Sequence, residues 1–203
     1  MLGIQEDDGT IIPLDTNVCF GTEAMDRADK FYSDLSDALN RQGILIEQMY
    51  PELGHGQHEI SIKYAPAMAA CDQYLALKET LRGVATNNNL FFTAAPKPFD
   101  NQPGNGCHLH LSIWNQDNSK NITWSEEGDG LSETAKYFIA GIVSHLPALV
   151  SLTCPSVNSY RRLRPKSWSS AYTCWGYDNR EAAVRVPSVY WGKEQESTNI
   201  EIK

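Results

Sequence analysis

The chain has no Cys-x-x-Cys spacing, no basic surplus, no internal repeat and no low-complexity segment. Its five cysteines, Cys19, Cys71, Cys107, Cys154 and Cys174, are an odd number, which argues for buried or free thiols over a disulfide framework. Asp and Glu total 25 against 17 Lys and Arg, a formal net charge of −8, so a nucleic-acid backbone is not an expected partner. No apolar run approaches the roughly eighteen residues needed to span a membrane. The opening Leu2-Gly3-Ile4-Gln5-Glu6-Asp7-Asp8 has neither the basic start nor the apolar core of a signal peptide, and the expectation is a cytoplasmic protein with no membrane partner. What is present, 41% hydrophobic and 21% charged residues in 203, allows one globular domain or one and a half.

The most informative stretch is Gly104-Asn105-Gly106-Cys107-His108-Leu109-His110-Leu111-Ser112, two imidazoles at i and i+2 after a glycine-rich turn. In a strand, side chains two apart share a face. His108, His110, Ser112 and Trp114 therefore point one way, and Cys107, Leu109, Leu111 and Ile113 the other. Imidazole offers a neutral nitrogen to a metal or donors to an anion, although two solvent-facing strand histidines would give the same pattern.

Two further segments repeat the design. Glu52-Leu53-Gly54-His55-Gly56-Gln57-His58-Glu59-Ile60-Ser61-Ile62-Lys63-Tyr64 runs from a glycine-rich turn into a strand with Glu59, Ser61 and Lys63 on one face and His58, Ile60, Ile62 and Tyr64 on the other. Thr198-Asn199-Ile200-Glu201-Ile202-Lys203 sets Glu201 and Lys203 opposite Ile200 and Ile202. Carboxylates with imidazole, and no cysteine pair, suit Mg²⁺ or Mn²⁺ better than zinc. Asn158-Ser159-Tyr160-Arg161-Arg162-Leu163-Arg164-Pro165 and Asn179-Arg180-Glu181-Ala182-Ala183-Val184-Arg185-Val186-Pro187 gather guanidinium groups in an acidic chain. They point to a local phosphate or carboxylate, which a guanidinium grips in a two-pronged fork. Pairing with nearby surface acids is the plainer alternative.

Taken in order, these segments resemble the catalytic domain of the glutamine synthetase family, from about residue 45 to residue 203, and the order and spacing of five motifs are highly specific. The resemblance implies an ATP-dependent ligase of the glutamate–ammonia type that phosphorylates a γ-carboxylate and lets an amine displace the phosphate, with two divalent metals, Mg²⁺ or Mn²⁺, bridging nucleotide and substrate. It implies Glu52, Glu59, His108 and Glu201 as metal ligands. It places His110 and Ser112 at the nucleotide, Arg162 at the substrate carboxylate, and Arg180 and Arg185 at the phosphates and the developing charge. Gly104, Gly106 and Lys203 would line the substrate site. The substrates would be an amino acid, an amine and ATP, in glutamine biosynthesis and nitrogen metabolism, and the full-length partner arrangement a homo-oligomeric ring.

The chain also departs from the family pattern. Glu52 lies seven residues before Glu59, where the pattern has an acid eight before. Pro103 stands where an asparagine usually contacts the amino acid, and proline offers neither a side-chain hydrogen bond nor an N–H. No acid occurs in Arg164-Pro165-Lys166-Ser167-Trp168-Ser169-Ser170-Ala171, where ammonia-using members carry a glutamate. Trp168 falls at about that place, and with Tyr172 and Trp175 it suits an apolar or aromatic amine, or simple packing. Family members are about twice as long, so the expectation is a partial catalytic domain over 1–203, without the N-terminal β-grasp domain, the first Glu-x-Glu strand and the C-terminal part.

Three helices are expected, over 23–42, 65–86 and 132–149. Ala24, Ala28, Phe31, Leu35 and Leu39 form the stripe of the first, which Gly43 stops. The nearly apolar first half of the second suggests deep burial, and His145 in the third reads as a packing or capping residue. Helices alternating with strands and hairpin-like turns predict an α+β class, with helices flanking a curved antiparallel sheet as in the glutamine synthetase/guanido kinase-like fold. Two other functions stay open: a non-catalytic structural or binding relative, and an unrelated His-x-His metal-dependent hydrolase, which leaves the arginines unexplained.

Overall fold

The computed structural model describes residues 1–203, in two compact units. The first comprises Met1–Ala94 and Pro98–Asn105, the second Ala95–Lys97 and Gly106–Lys203. The class is α+β.

In the first unit, β1 (Leu2–Gln5) lies between β2 (Ile11–Pro13) and β5 (Phe91–Phe92), antiparallel to both. A second sheet is the hairpin of β3 (Ile46–Pro51) and β4 (His58–Ile62). The predicted first helix is two, α1 (Thr22–Arg27) and α2 (Asp29–Arg41), because Ala28 leaves helical geometry at φ −96°, ψ 3°. The predicted stripe is nevertheless the core: Ala24, Ala28, Phe31, Leu35 and Leu39 are all buried. Gly43, at φ 73°, ends α2 in the left-handed turn that glycine adopts without a Cβ clash, and Ile44 N–H returns to the Leu39 carbonyl at 3.0 Å. Leu77, Val84 and Ala85 of α3 (Ala67–Asn87) complete this core with Leu2 and Ile44, and Met49, Ile60 and Ile62 of the hairpin pack against it.

The expected deep burial of the second helix is corrected. Met68, Cys71, Tyr74 and Leu75 in the first half of α3 are exposed, and only the second half packs on α2. Composition alone reads an apolar helix as buried, whereas burial needs a facing layer.

The second unit is a four-stranded sheet in the order β6 (Leu109–Leu111), β9 (Ile200–Ile202), β8 (Ala182–Val186), β7 (Tyr172–Tyr177). Its pairings are antiparallel except β7 with β8. α4 (Glu133–Thr153) starts where Ser132 Oγ accepts from Ala135 N–H at 3.1 Å, and sets Ala135 and Ile139 against Val184, Val186 and Ile200. It runs four residues past the expected end and, against the expectation that no apolar run nears membrane-spanning length, is long and apolar enough to cross a membrane by length and composition alone, with 17% of that stretch buried. Buried Asn121 ties the turn before α4 to the sheet, donating to the Thr198 carbonyl at 2.8 Å. α5 (Val157–Arg162) and the short α6 (Glu194–Ser197) lie between strands. No disulfide joins the five cysteines.

Candidate active site

The sheet of the second unit gathers one buried carboxylate, two imidazoles and a guanidinium. His110 is in register with Glu201, and Glu201 with Arg185, so the three occupy one row across β6, β9 and β8, on one face. Glu201 is 1% exposed. His108 Nδ1 stands 3.0 Å from its Oε1 and His110 Nε2 3.8 Å, while Arg185 Nε bonds its Oε2. Burial alone would raise the Glu201 pKa; the His108 bond, helped by the charges of His108, Arg185 and Lys203, overrides it and holds the group down at about 2. His110 Nδ1 meets Asn199 Oδ1 at 2.9 Å, a partner unforeseen from sequence, and Ser112 Oγ accepts from Trp114 Nε1 at 2.9 Å.

Around this carboxylate the charge is positive. Lys203 is shifted down by burial, with Arg185, Arg180 and Arg162 adding repulsion that Glu201 only partly offsets. Its Nζ donates to the Arg180 carbonyl at 2.7 Å. Arg162, at the end of α5, is lowered by burial, and its buried Nε has no hydrogen-bond partner. A buried guanidinium N–H without an acceptor is costly unless an acceptor arrives. Gly106 makes room beside it: a Cβ there would come within 2.5 Å of His108 Nε2 and 2.9 Å of Arg162 Nη2. Several cations for one carboxylate, and a donor in search of an acceptor, describe an anion site.

The loop over 164–170 is held by side chains. Glu181 accepts from the backbone N–H of Lys166 at 3.1 Å and of Trp168 at 2.8 Å, and the Arg180 guanidinium lies 5.7 Å from the Trp168 ring centroid. Trp168, Tyr172 and Trp175 are all substantially exposed.

The other predicted ligands belong to the first unit. Glu59 is in register with Tyr50 across the β3–β4 hairpin, and the Tyr50 hydroxyl donates to its carboxylate; burial, then this bond, raises the Tyr50 pKa. Glu52 caps its own turn, accepting from Leu53 N–H at 2.7 Å. Buried Gln57 joins this turn to the glycine loop, donating to the Gly104 carbonyl at 2.9 Å and accepting from Gly54 N–H at 2.9 Å. On the opposite face of β4, His58 is buried with Tyr32 Oη at 2.6 Å from Nδ1 and Asp15 Oδ2 at 3.5 Å from Nε2.

Of the three strands singled out from sequence, two are thus neighbours in one sheet, and the third lies in the other unit. Tyr50, Gln57, Asn199 and Glu181 were missed. Tyr50 was recoverable, because a turn spanning 52–57 brings it opposite Glu59. No side-chain cluster of three or more His, Cys, Asp or Glu is poised around one metal position. The donor chemistry still fits Mg²⁺ or Mn²⁺, which bind through one or two carboxylates, water and substrate phosphate. Glu201 supplies one such carboxylate, with the His108 imidazole beside it.

An α+β domain with a carboxylate–imidazole pair beside an arginine cluster is the arrangement of an anion-binding domain. The glutamine synthetase catalytic-domain family model matches residues 5–203, and the chain belongs to this family. It is 38% identical over 195 residues to type-1 glutamine synthetase 1 of Dictyostelium discoideum, covering 96% of this chain and 39% of that protein. It is 35% identical over 192 residues to a gamma-glutamylpolyamine synthetase of Streptomyces coelicolor, covering 95% of this chain and 41% of that protein. Its structure matches that of a novel glutamine synthase homolog with TM-score 0.85 and 35% identity, over 93% of this chain and 45% of that one. The chain thus spans about two fifths of the length of the curated relatives it matches.

Proposed function

We propose that this chain carries part of the catalytic domain of an ATP-dependent carboxylate–amine ligase. Its substrates are a γ-carboxylate, most simply that of glutamate, and ammonia or, in preference, another amine. The observation that carries the reading is Glu201, ionised and buried between His108 and Arg185 with Arg162, Arg180 and Lys203 around it. Arg162 pairs with the substrate carboxylate through the N–H that lacks a partner, and Gly106, without a Cβ, keeps the approach to it open. Arg180 and Arg185 orient the transferring phosphoryl group and balance its charge. His110 and Ser112 contact the nucleotide. Glu201 with His108, and Glu59 with Glu52, are the metal ligands; the bound Mg²⁺ or Mn²⁺ would act as Lewis acids on the phosphoryl oxygens. The absence of an acid over 164–171, with aromatic side chains exposed beside it, favours an amine larger than ammonia. In the full-length protein we expect a homo-oligomer.

Calorimetric titration of a slowly hydrolysed ATP analogue with Mn²⁺, with Mg²⁺ and with chelator tests the reading. Metal-dependent binding that Glu59→Ala and His108→Ala each abolish, at a nearly unchanged unfolding midpoint, supports it. Lost stability with unchanged binding assigns those residues to structure. A second reading, a non-catalytic relative that keeps the fold and the metal, is favoured by the loop itself, whose nearest acid, Glu181, is occupied by backbone N–H groups. It predicts metal binding without turnover in the full-length protein for any amine supplied with glutamate and ATP.

A further inference from the structure

The 164–170 loop presents a conformation that its own residues do not favour. Lys166, Trp168 and Ser170 have φ of 60°, 52° and 64°, the left-handed region that residues with a Cβ avoid, and none of the three is glycine. Something outside the loop holds it there. Within the loop, Ser169 Oγ accepts from Arg164 N–H and donates to the Arg164 carbonyl, both at 2.9 Å, which closes the base. The tip is held by Glu181, whose two carboxylate oxygens take one backbone N–H each, from Lys166 and Trp168. Glu181 follows Arg180 directly in sequence, and the ring that Glu181 fixes is the ring that covers Arg180.

We infer that Glu181 is a positioning residue: by holding the loop it seats the Trp168 ring on the Arg180 guanidinium, and so sets the direction in which Arg180 offers its N–H edge to an anion. A ring on the face of a guanidinium leaves the N–H edges free, so stacking and anion binding are compatible. Stacking also removes rotamers that Arg180 would otherwise lose on binding, which raises affinity without a new contact. The inference rests on the anion-binding role proposed above for Arg180, and it assigns to Glu181 and Trp168 a part that neither motif nor register indicated.

The test reads the Arg180 Nε–Hε resonance of this chain by NMR, identified by its loss in Arg180→Lys, first without ligand and then during titration with ADP. Under the ring it is shifted upfield. Glu181→Ala and Trp168→Leu are each expected to move it to the position of an uncovered arginine and to weaken ADP about two- to fivefold, at an unchanged unfolding midpoint. Trp168→Phe, which keeps a ring, should retain most of both. A resonance unmoved in Glu181→Ala overturns the inference, as does one that moves while ADP affinity stays the same. If the unsubstituted chain binds no ADP, the ligase reading falls, and the ligand-free spectra still decide whether Glu181 seats Trp168.

Discussion

Replacing Glu201 with glutamine preserves the shape of a buried side chain and removes its charge. In the folded protein the carboxyl is held at about 2, against an ordinary 4.5. At about 1.4 kcal/mol per pH unit the difference corresponds to roughly 3 kcal/mol in favour of the ionised folded state, and residual solvent screening reduces this to about 2 kcal/mol. The amide oxygen of glutamine also accepts one bond where the carboxylate serves both His108 and Arg185. A loss of about 2–3 kcal/mol near pH 7 is therefore expected, a substantial part of the roughly 5–15 kcal/mol that holds a domain folded. The folded-state pKa lies below the unfolded one, so this stability is present above about pH 4.5 and is lost as the pH falls toward about 2. Urea unfolding of both proteins in chelator, near pH 7 and at steps down to about pH 2.5, should show the gap closing across that window. A gap of constant size at every pH would refute the reasoning, because it would assign the loss to packing and not to charge.

Burial holds the His58 pKa down at about 4, with Asp15 opposing, against an ordinary 6.5. The unfolded chain then takes up a proton that the folded chain refuses, and stability should fall by about 2–3 kcal/mol as the pH drops from 6.5 toward 4. His58→Gln should flatten that slope in the same unfolding series. Tyr32→Phe, which deletes the 2.6 Å bond to His58, is expected to cost about 1 kcal/mol by denaturant midpoint. Gly106→Ala would push its Cβ into His108 and Arg162, and calorimetry should show at least about a tenfold loss of ATP-analogue affinity, worth about 1.4 kcal/mol, with little change in midpoint. Leu35→Ala, at the centre of the first unit, should cost about 3 kcal/mol with no specific effect on metal affinity.

Much of this protein is written in local pattern. The stripe from Ala24 to Leu39 became the first core, because helical period puts those residues on one side whatever surrounds them. Strand alternation set His58 inward and Glu59 outward, and His108 and His110 on the face of Glu201, because a period of two leaves no other choice. The ordered motifs named the family. What sequence could not supply depends on which elements face each other. The exposed first half of α3 is apolar in composition, yet nothing in the first unit covers it. The break at Ala28 interrupts a stripe that reads as continuous. Glu181 appears in sequence as one more acid beside an arginine, and only the return of the 164–170 loop makes it the partner of two backbone N–H groups. The ionisation of Glu201 likewise depends on strands about 90 residues apart in the chain meeting in register, since charge interactions act through space and not along the sequence.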